Sequence, residues 1–324
     1  MAARGGHSTS WWRAAALAGT LAALAGALWL LDWRALLSLA SSIPLHSVLA
    51  CAAFCALTHT LIAVRWALIV TPDGGAVQWR ECAVSLHASL FNLVTPSALG
   101  ADVYRVLAGG ERRGGRTGSA GFVLIERLLG VLGQAVVYVA AYAVLSAGGG
   151  VAAAVAPSSQ GGNGVFLSPA LVLTVASLAI VLVLVKGPSA VAARAGAASP
   201  ALGGALRTLA GVTRYRARSL SRPVILSVAA AGFWVMAASP LALSLGLALD
   251  PLQLALVVVL TEFSRLIPLS IQGIGVREAT FALLASQLGA DAAVAFVVCA
   301  MTYLLNYVVV GVLGAAAAVI VARG

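Results

Sequence analysis

Charged side chains are scarce in this sequence. Asp, Glu, Lys and Arg together make up 9% of the 324 residues, whereas a soluble domain carries about 25%. So few charges cannot cover a water-facing surface, which excludes a soluble protein. Hydrophobic residues make up 61%, and they form continuous runs of about 20 residues instead of the period-two alternation of membrane β-barrels. The composition therefore predicts an all-α, polytopic membrane protein.

Cysteine and histidine are also sparse, with four of each. The cysteines lie in apolar stretches, which indicates buried thiols rather than a disulfide framework. The sequence contains no G-x-x-x-x-G-K-[ST] phosphate loop, no D-x-D pair and no H-E-x-x-H motif. These absences argue against nucleotide hydrolysis and against a metal centre. We therefore expect neither a cofactor nor a metal ion.

Six apolar runs are long enough to cross a bilayer as helices. The first follows a short basic N-terminus, and because no clear small-residue cleavage site comes after it, we interpret it as a retained helix. The predicted spans are Trp12–Leu31, Ser47–Val70, Ser119–Leu145, Phe166–Val185, Pro223–Leu247 and Ala292–Val321.

Two further apolar regions, Arg80–Leu107 and Leu252–Gln287, are interrupted by helix-breaking residues. Proline removes a backbone donor and glycine loosens the backbone, so each region predicts two short helices around a kinked loop. Irregular backbone at membrane depth is tolerated only where it is buried in protein or lines a wet cavity. Each region is therefore predicted to be a re-entrant hairpin. The breaking residues are Pro96 and Gly100 in the first hairpin and Pro268, Gly273 and Gly275 in the second.

The distribution of arginine predicts the orientation. Segment 186–222 carries seven basic residues, whereas segment 146–165 carries no charge. Basic loops are cytoplasmic by the positive-inside rule, which also explains the net charge of +10 without nucleic acid. We expect a multi-pass protein of the cell membrane with both termini in the cytoplasm. The first hairpin then enters from the cytoplasm and the second from outside.

The two hairpins resemble each other in sequence. Phe91–Arg105 reads FNLVTPSALGADVYR and Phe263–Arg277 reads FSRLIPLSIQGIGVR. In both, Phe stands five residues before the proline and Arg stands nine residues after it. Each hairpin is preceded by two predicted spans and followed by one, which divides the single membrane domain 1–324 into halves 12–146 and 166–322. This organisation predicts an inverted-topology repeat, which is common in secondary transporters.

Ionisable side chains at membrane depth are costly, so each is a functional candidate. Asp102 with Arg105, and Glu262 with Arg265, have the spacing of local ion pairs, which is one reading of them. Neighbouring residues such as Glu126 and Arg127 cannot pair with each other, so each needs a partner across the bundle or in a substrate. The same holds for Arg277 and Glu278. We interpret Arg65, near a span end, as a side chain that reaches the interface.

Arginine suits phosphate and carboxylate ligands, so the interior arginines predict a central site for an anionic headgroup. The glutamates would balance the charge or carry protons. The candidate substrate-binding residues are Arg105, Arg277, Arg127, Arg265, Asp102, Glu126, Glu262, Glu278, Ser97, Ser270 and Gln272.

Three motifs carry a resemblance to a known family. PSALGADVYR, IERLLG around Glu126, and RLIPLSIQGIGVREA resemble the membrane region of lysylphosphatidylglycerol synthases, a family of flippase-like membrane proteins. The resemblance covers nearly the whole chain. Ala101 stands where the family often has a second glycine, whereas the second motif matches from Pro268 to Glu278. The resemblance implies movement of a lipid, or of a lipid-linked anion, between leaflets. Because no synthase segment follows the membrane region, we expect no aminoacyl-transfer activity.

The leading hypothesis is therefore a lipid flippase that acts on an anionic phospholipid or a lipid-linked substrate and is not an enzyme. A membrane enzyme that acts on lipid-linked substrates, such as a glycosyltransferase, is the alternative. A third hypothesis is an accessory partner of such an enzyme. Membrane lipids are the expected partners, with a homo-oligomer or a lipid-modifying enzyme left open.

Overall fold

The computed structural model describes residues 33–71, 77–93, 95, 99–108, 115–148, 169, 172, 220–264 and 273–323. Within them every regular element is an α-helix. The helices are α1 (Trp33–Ser41), α2 (Leu45–Val70), α3 (Trp79–Asn92), α4 (Gly100–Ala108), α5 (Gly115–Ala147), α6 (Ser221–Ser244), α7 (Pro251–Ser264), α8 (Val276–Gln287) and α9 (Ala292–Ala322).

Four helices of the described part are long and apolar enough to cross a membrane. They are Leu45–Val70, Ser221–Ser244, Ala292–Ala322 and the stretch Ser119–Ala147 of α5. They coincide with the second, third, fifth and sixth predicted spans. The first predicted span lies outside the described residues, and so does the fourth except for Pro169 and Val172.

Helix ends follow local chemistry. Asp291 accepts hydrogen bonds from the backbone N–H groups of Ala293 and Val294 at 2.8 and 2.9 Å, and so caps α9. A carboxylate at this position satisfies donors that have no partner inside the helix. Helix α6 begins at Ser221, two residues before the proline that the sequence placed at its start. Pro223 still lies in the first turn, where its missing N–H costs nothing.

The described residues of each interrupted region form two short helices. The 14 residues of α3 and of α7 each span about 21 Å, less than the roughly 30 Å of bilayer hydrocarbon. Helices α3 and α4 pack against each other, as do α7 and α8. Pro96 and Pro268 lie outside the described residues.

Side chains close the break between α3 and α4. Thr95 Oγ1 donates to the carbonyl of Phe91 at 2.8 Å and accepts from the Gly100 N–H at 3.0 Å. Asn92 Oδ1 accepts from the Ala101 N–H at 2.8 Å. A Cβ at Gly100 would lie 2.4 Å from the Phe91 carbonyl oxygen, so this close approach requires glycine. Asn92, the last residue of α3, and Thr95, just beyond it, thereby cap the N-terminus of α4.

The break before α8 depends on backbone conformation. Gly273 and Gly275 have φ values of +76° and +83°, a region that glycine adopts without steric cost. Glu278 accepts a hydrogen bond from the Gly275 N–H at 2.6 Å, which caps the start of α8. Two of the predicted breaking residues therefore have a clear conformational role.

The largest apolar core joins the two halves of the chain. It combines side chains of α2 and α5 with those of α6, α7, α8 and α9, and includes Cys51, Tyr138, Val257, Phe281 and Cys299. Helix α6 packs along α2, while α9 packs against α3. Each half therefore packs its long helices against elements of the other, which places both short-helix pairs beside a shared interior.

Candidate functional site

A cavity of about 310 Å³ lies between the helices. Its wall contains residues of α2, α3, α4, α5, α6, α7 and α9, so both short-helix pairs contribute to it. Among the described residues, three arginines and three carboxylates line it. They are Arg65, Arg105, Arg127, Asp102, Glu126 and Glu262.

The most buried charges form a cluster around Glu126. One carboxylate oxygen accepts from Arg65 Nη2 at 2.8 Å, and the other accepts from Arg105 Nη1 at 2.9 Å. None of the three side chains is more than 8% exposed. Ser227 Oγ accepts from Arg65 at 2.9 Å and Ser85 Oγ accepts from Arg105 at 2.8 Å. The attraction between Glu126 and the two arginines offsets the free-energy cost of removing these charges from water.

A second ion pair is more open. Arg127 donates to Asp102 Oδ2 from Nε at 2.6 Å, and its Nη2 lies 2.5 Å from the same oxygen. The Arg127 side chain is 40% exposed and that of Asp102 is 15% exposed. Because this pair also lines the cavity, its guanidinium is the most accessible of the arginines described there.

The second half of the chain contributes aromatic side chains. Glu262 accepts hydrogen bonds from Trp234 Nε1 at 3.0 Å and from the Tyr303 hydroxyl. The Arg277 guanidinium lies 3.6 Å from the centre of the Tyr303 ring and donates to the Tyr307 hydroxyl. Arg277 is 1% exposed. Both tyrosines also line the cavity, so they separate it from Arg277.

Three interpretations of charged residues need correction. Asp102 does not pair with Arg105 one turn away: its carboxylate binds Arg127, and Arg105 binds Glu126. Glu278 binds the backbone of Gly275 instead of a partner across the bundle, because it stands at the third position of α8. Arg65 does not reach the interface: it is 5% exposed because Glu126 and Ser227 hold it inside.

The cavity brings together Arg105, Arg127, Asp102, Glu126 and Glu262 from the predicted set. Arg277 and Glu278 are buried beside it but do not belong to the wall. The remaining predicted residues lie outside the described residues: they are Arg265, Ser97, Ser270 and Gln272.

Arg65, which the sequence assigned to the interface, and the uncharged side chains of the wall were not among the predicted site residues. His59 Nε2 and Asn306 Oδ1 lie 2.8 Å apart across α2 and α9, and both line the cavity. A single arginine within a span was a usable signal. Tyr303 and Trp234 gave none, because aromatic residues are common in apolar helices.

The long apolar helices and the charged interior define the class as polytopic α-helical membrane proteins. Within that class the chain belongs to the family described as the lysylphosphatidylglycerol synthase TM region, whose model matches residues 14–314. This confirms the resemblance found in the motifs, and it ties the protein to lipid metabolism or transport. Comparisons with curated proteins and with solved structures give no match.

Proposed function

We propose that this protein moves an anionic phospholipid, or a lipid-linked anion, between the two leaflets of the cell membrane. The observation that carries the proposal is the charged cavity, lined in part by α3, α4 and α7, inside a largely apolar bundle. A headgroup phosphate in hydrocarbon lacks the water that stabilises its charge, which makes unassisted crossing slow. The cavity offers arginines and polar side chains in place of that water.

The dimensions fit a headgroup rather than a whole lipid. About 310 Å³ is at the lower end of the volume range of ligand pockets. The acyl chains would remain in the bilayer while the phosphate occupies the cavity. Of the arginines described in the wall, Arg127 is the candidate to contact the phosphate, because Arg65 and Arg105 are held by Glu126.

The proposal includes six spans, two re-entrant hairpins and an inverted repeat, with both termini in the cytoplasm. The element order supports it. One long helix, two short helices and one long helix follow each other in α2–α5 and again in α6–α9. Hairpins that enter from opposite sides would give the cavity a potential path to each leaflet.

Lipid scrambling by the purified full-length chain in liposomes tests this function. Fluorescent phosphatidylglycerol should exchange between leaflets without any nucleotide or sugar donor. Arg127→Gln should slow this exchange about tenfold, which corresponds to the loss of about 1.4 kcal/mol. Arg80→Gln is the matched control, since Arg80 is an exposed arginine of α3 outside the cavity wall.

The same assay separates the other hypotheses. Product formation that depends on a nucleotide-sugar donor would support a membrane enzyme. Scrambling that requires an added membrane enzyme would support an accessory role. No exchange by the chain under any of these conditions contradicts the proposed function.

A further inference from the structure

Two groups of ion-paired side chains line the cavity. They differ in their hydrogen-bond partners and in their exposure. In the Glu126 cluster both carboxylate oxygens bind an arginine, and both arginines also donate to a buried serine. The Arg127–Asp102 pair places two donor nitrogens on one carboxylate oxygen. Both groups line the cavity, but the Arg127 side chain is 40% exposed whereas no side chain of the Glu126 cluster is more than 8% exposed, so the second pair is the more accessible of the two.

Asp102 is not needed to cap its own helix. It lies in the first turn of α4, where a carboxylate commonly accepts from backbone N–H groups. In this chain Thr95 and Asn92 accept from the first two amides of α4. The Asp102 carboxylate is thereby left to bind Arg127.

Asp102 would also tolerate release from Arg127. The N-terminal turn of a helix stabilises a negative charge, and Arg105 stands one turn further along α4. Asp102 borders the cavity, where water can solvate it. Separation of the pair therefore leaves neither charge in an apolar environment, provided that an anion takes the place of Asp102 on Arg127.

We propose, resting on the function proposed above, that Asp102 is a specificity-determining residue that competes with the substrate headgroup for Arg127. A lipid phosphate presents two free oxygens to the planar guanidinium, a geometry that allows two parallel hydrogen bonds. It displaces the carboxylate and takes over its charge compensation. A neutral headgroup has no charge with which to displace Asp102, so the cavity rejects it.

Release follows from the same exchange. When the phosphate leaves for the opposite leaflet, Asp102 returns to Arg127 and the empty cavity regains its paired state. Asp102 therefore weakens binding and accelerates release. A residue that merely positioned Arg127 would have the opposite effect on affinity.

Titration of dioleoylphosphatidylglycerol onto the detergent-purified full-length chain tests this exchange. Asp102→Asn keeps the shape of the side chain but removes the charge, and should tighten binding about tenfold, equivalent to about 1.4 kcal/mol. Arg127→Gln should weaken binding, and in the double variant the gain from Asp102→Asn should disappear. Dioleoylglycerol, which lacks phosphate, should bind Asp102→Asn no better than it binds the wild type.

Two further variants complete the design. Glu81→Gln removes one negative charge from α3 outside the cavity wall, and should leave binding unchanged. Asp102→Ser gives a second neutral variant in case Asp102→Asn does not fold. Unchanged or weaker phosphatidylglycerol binding in a folded neutral variant overturns the exchange alone, provided that the wild type binds in an Arg127-dependent manner. A wild type that binds no phosphatidylglycerol contradicts both the exchange and the headgroup site.

Discussion

At the scale of single residues, burial separates the charged side chains into two groups. Glu126, Arg65 and Arg105 are almost fully enclosed, and each depends on the others for charge compensation. The side chains of Asp102 and Arg127 are more open, at 15% and 40% exposed. The first group is therefore expected to govern stability and the second to govern binding.

Replacement of Glu126 by Gln should destabilise the protein strongly. The amide leaves Arg65 and Arg105 buried without a carboxylate, and loss of one partner from a buried ion pair costs about 3–5 kcal/mol. The apparent melting temperature in detergent measures this loss. Asp102→Asn, in the more open pair, should lower the free energy of unfolding by about 1 kcal/mol or less. Equal losses in the two variants would show that burial does not separate the groups.

At the scale of the helices, close contacts fix how the elements cross. A Cβ at Gly133 of α5 would lie 2.4 Å from the backbone oxygen of Ser227 in α6. Small residues allow such close backbone approach between membrane helices. The same crossing holds the Arg65–Ser227 hydrogen bond, so the position of α6 also determines the shape of the cavity wall.

Gly133→Ala should force α5 and α6 apart and cost about 1–3 kcal/mol, since an added methyl group here meets backbone rather than a flexible side chain. Gly232→Ala is the matched control. Gly232 also lies within α6 but has open space around it, so alanine should be neutral or stabilise the helix by up to about 1 kcal/mol. Thermal unfolding of both variants in the same detergent gives the comparison. If Gly133→Ala is as stable as the wild type, α5 and α6 can move apart without loss of stability, which contradicts the prediction.

At the scale of the whole molecule, the two halves share an element order but not an interior chemistry. In the first half Arg105 of α4 binds a carboxylate. In the second half the equivalent Arg277 lies against tyrosine rings. The two halves therefore have the same order of long and short helices. The more exposed ion pair, Arg127 with Asp102, lies in the first half.

Orientation in the membrane is testable with the cysteines of the chain. All four native cysteines are buried, so a membrane-impermeant maleimide should not reach them, and single cysteines can be introduced into the native sequence. Ser158→Cys, in the uncharged segment, should react with a membrane-impermeant maleimide on intact cells. Ser199→Cys, in the basic segment, should react only after the membrane is permeabilised, because basic loops remain in the cytoplasm. The reverse pattern would invert the orientation and contradict the proposed arrangement of the hairpins.

The sequence by itself determined the class of protein, the four spans that the structure describes and the helix breaks. These features depend on local properties: the length of an apolar run, the missing donor of proline and the backbone freedom of glycine. The sequence also identified most of the interior charges, because an ionisable residue within an apolar run is conspicuous wherever the helix packs.

The tertiary structure alone decided the partners of those charges. Arg65 and Arg105 stand 61 and 21 residues from Glu126, and they meet because of how α2, α4 and α5 are rotated against one another. Arg277 of α8 lies against the rings of Tyr303 and Tyr307 of α9, and no residue spacing within α7 and α8 could indicate these partners. Partner choice depends on packing between distant helices, and the pattern within one helix does not specify that packing.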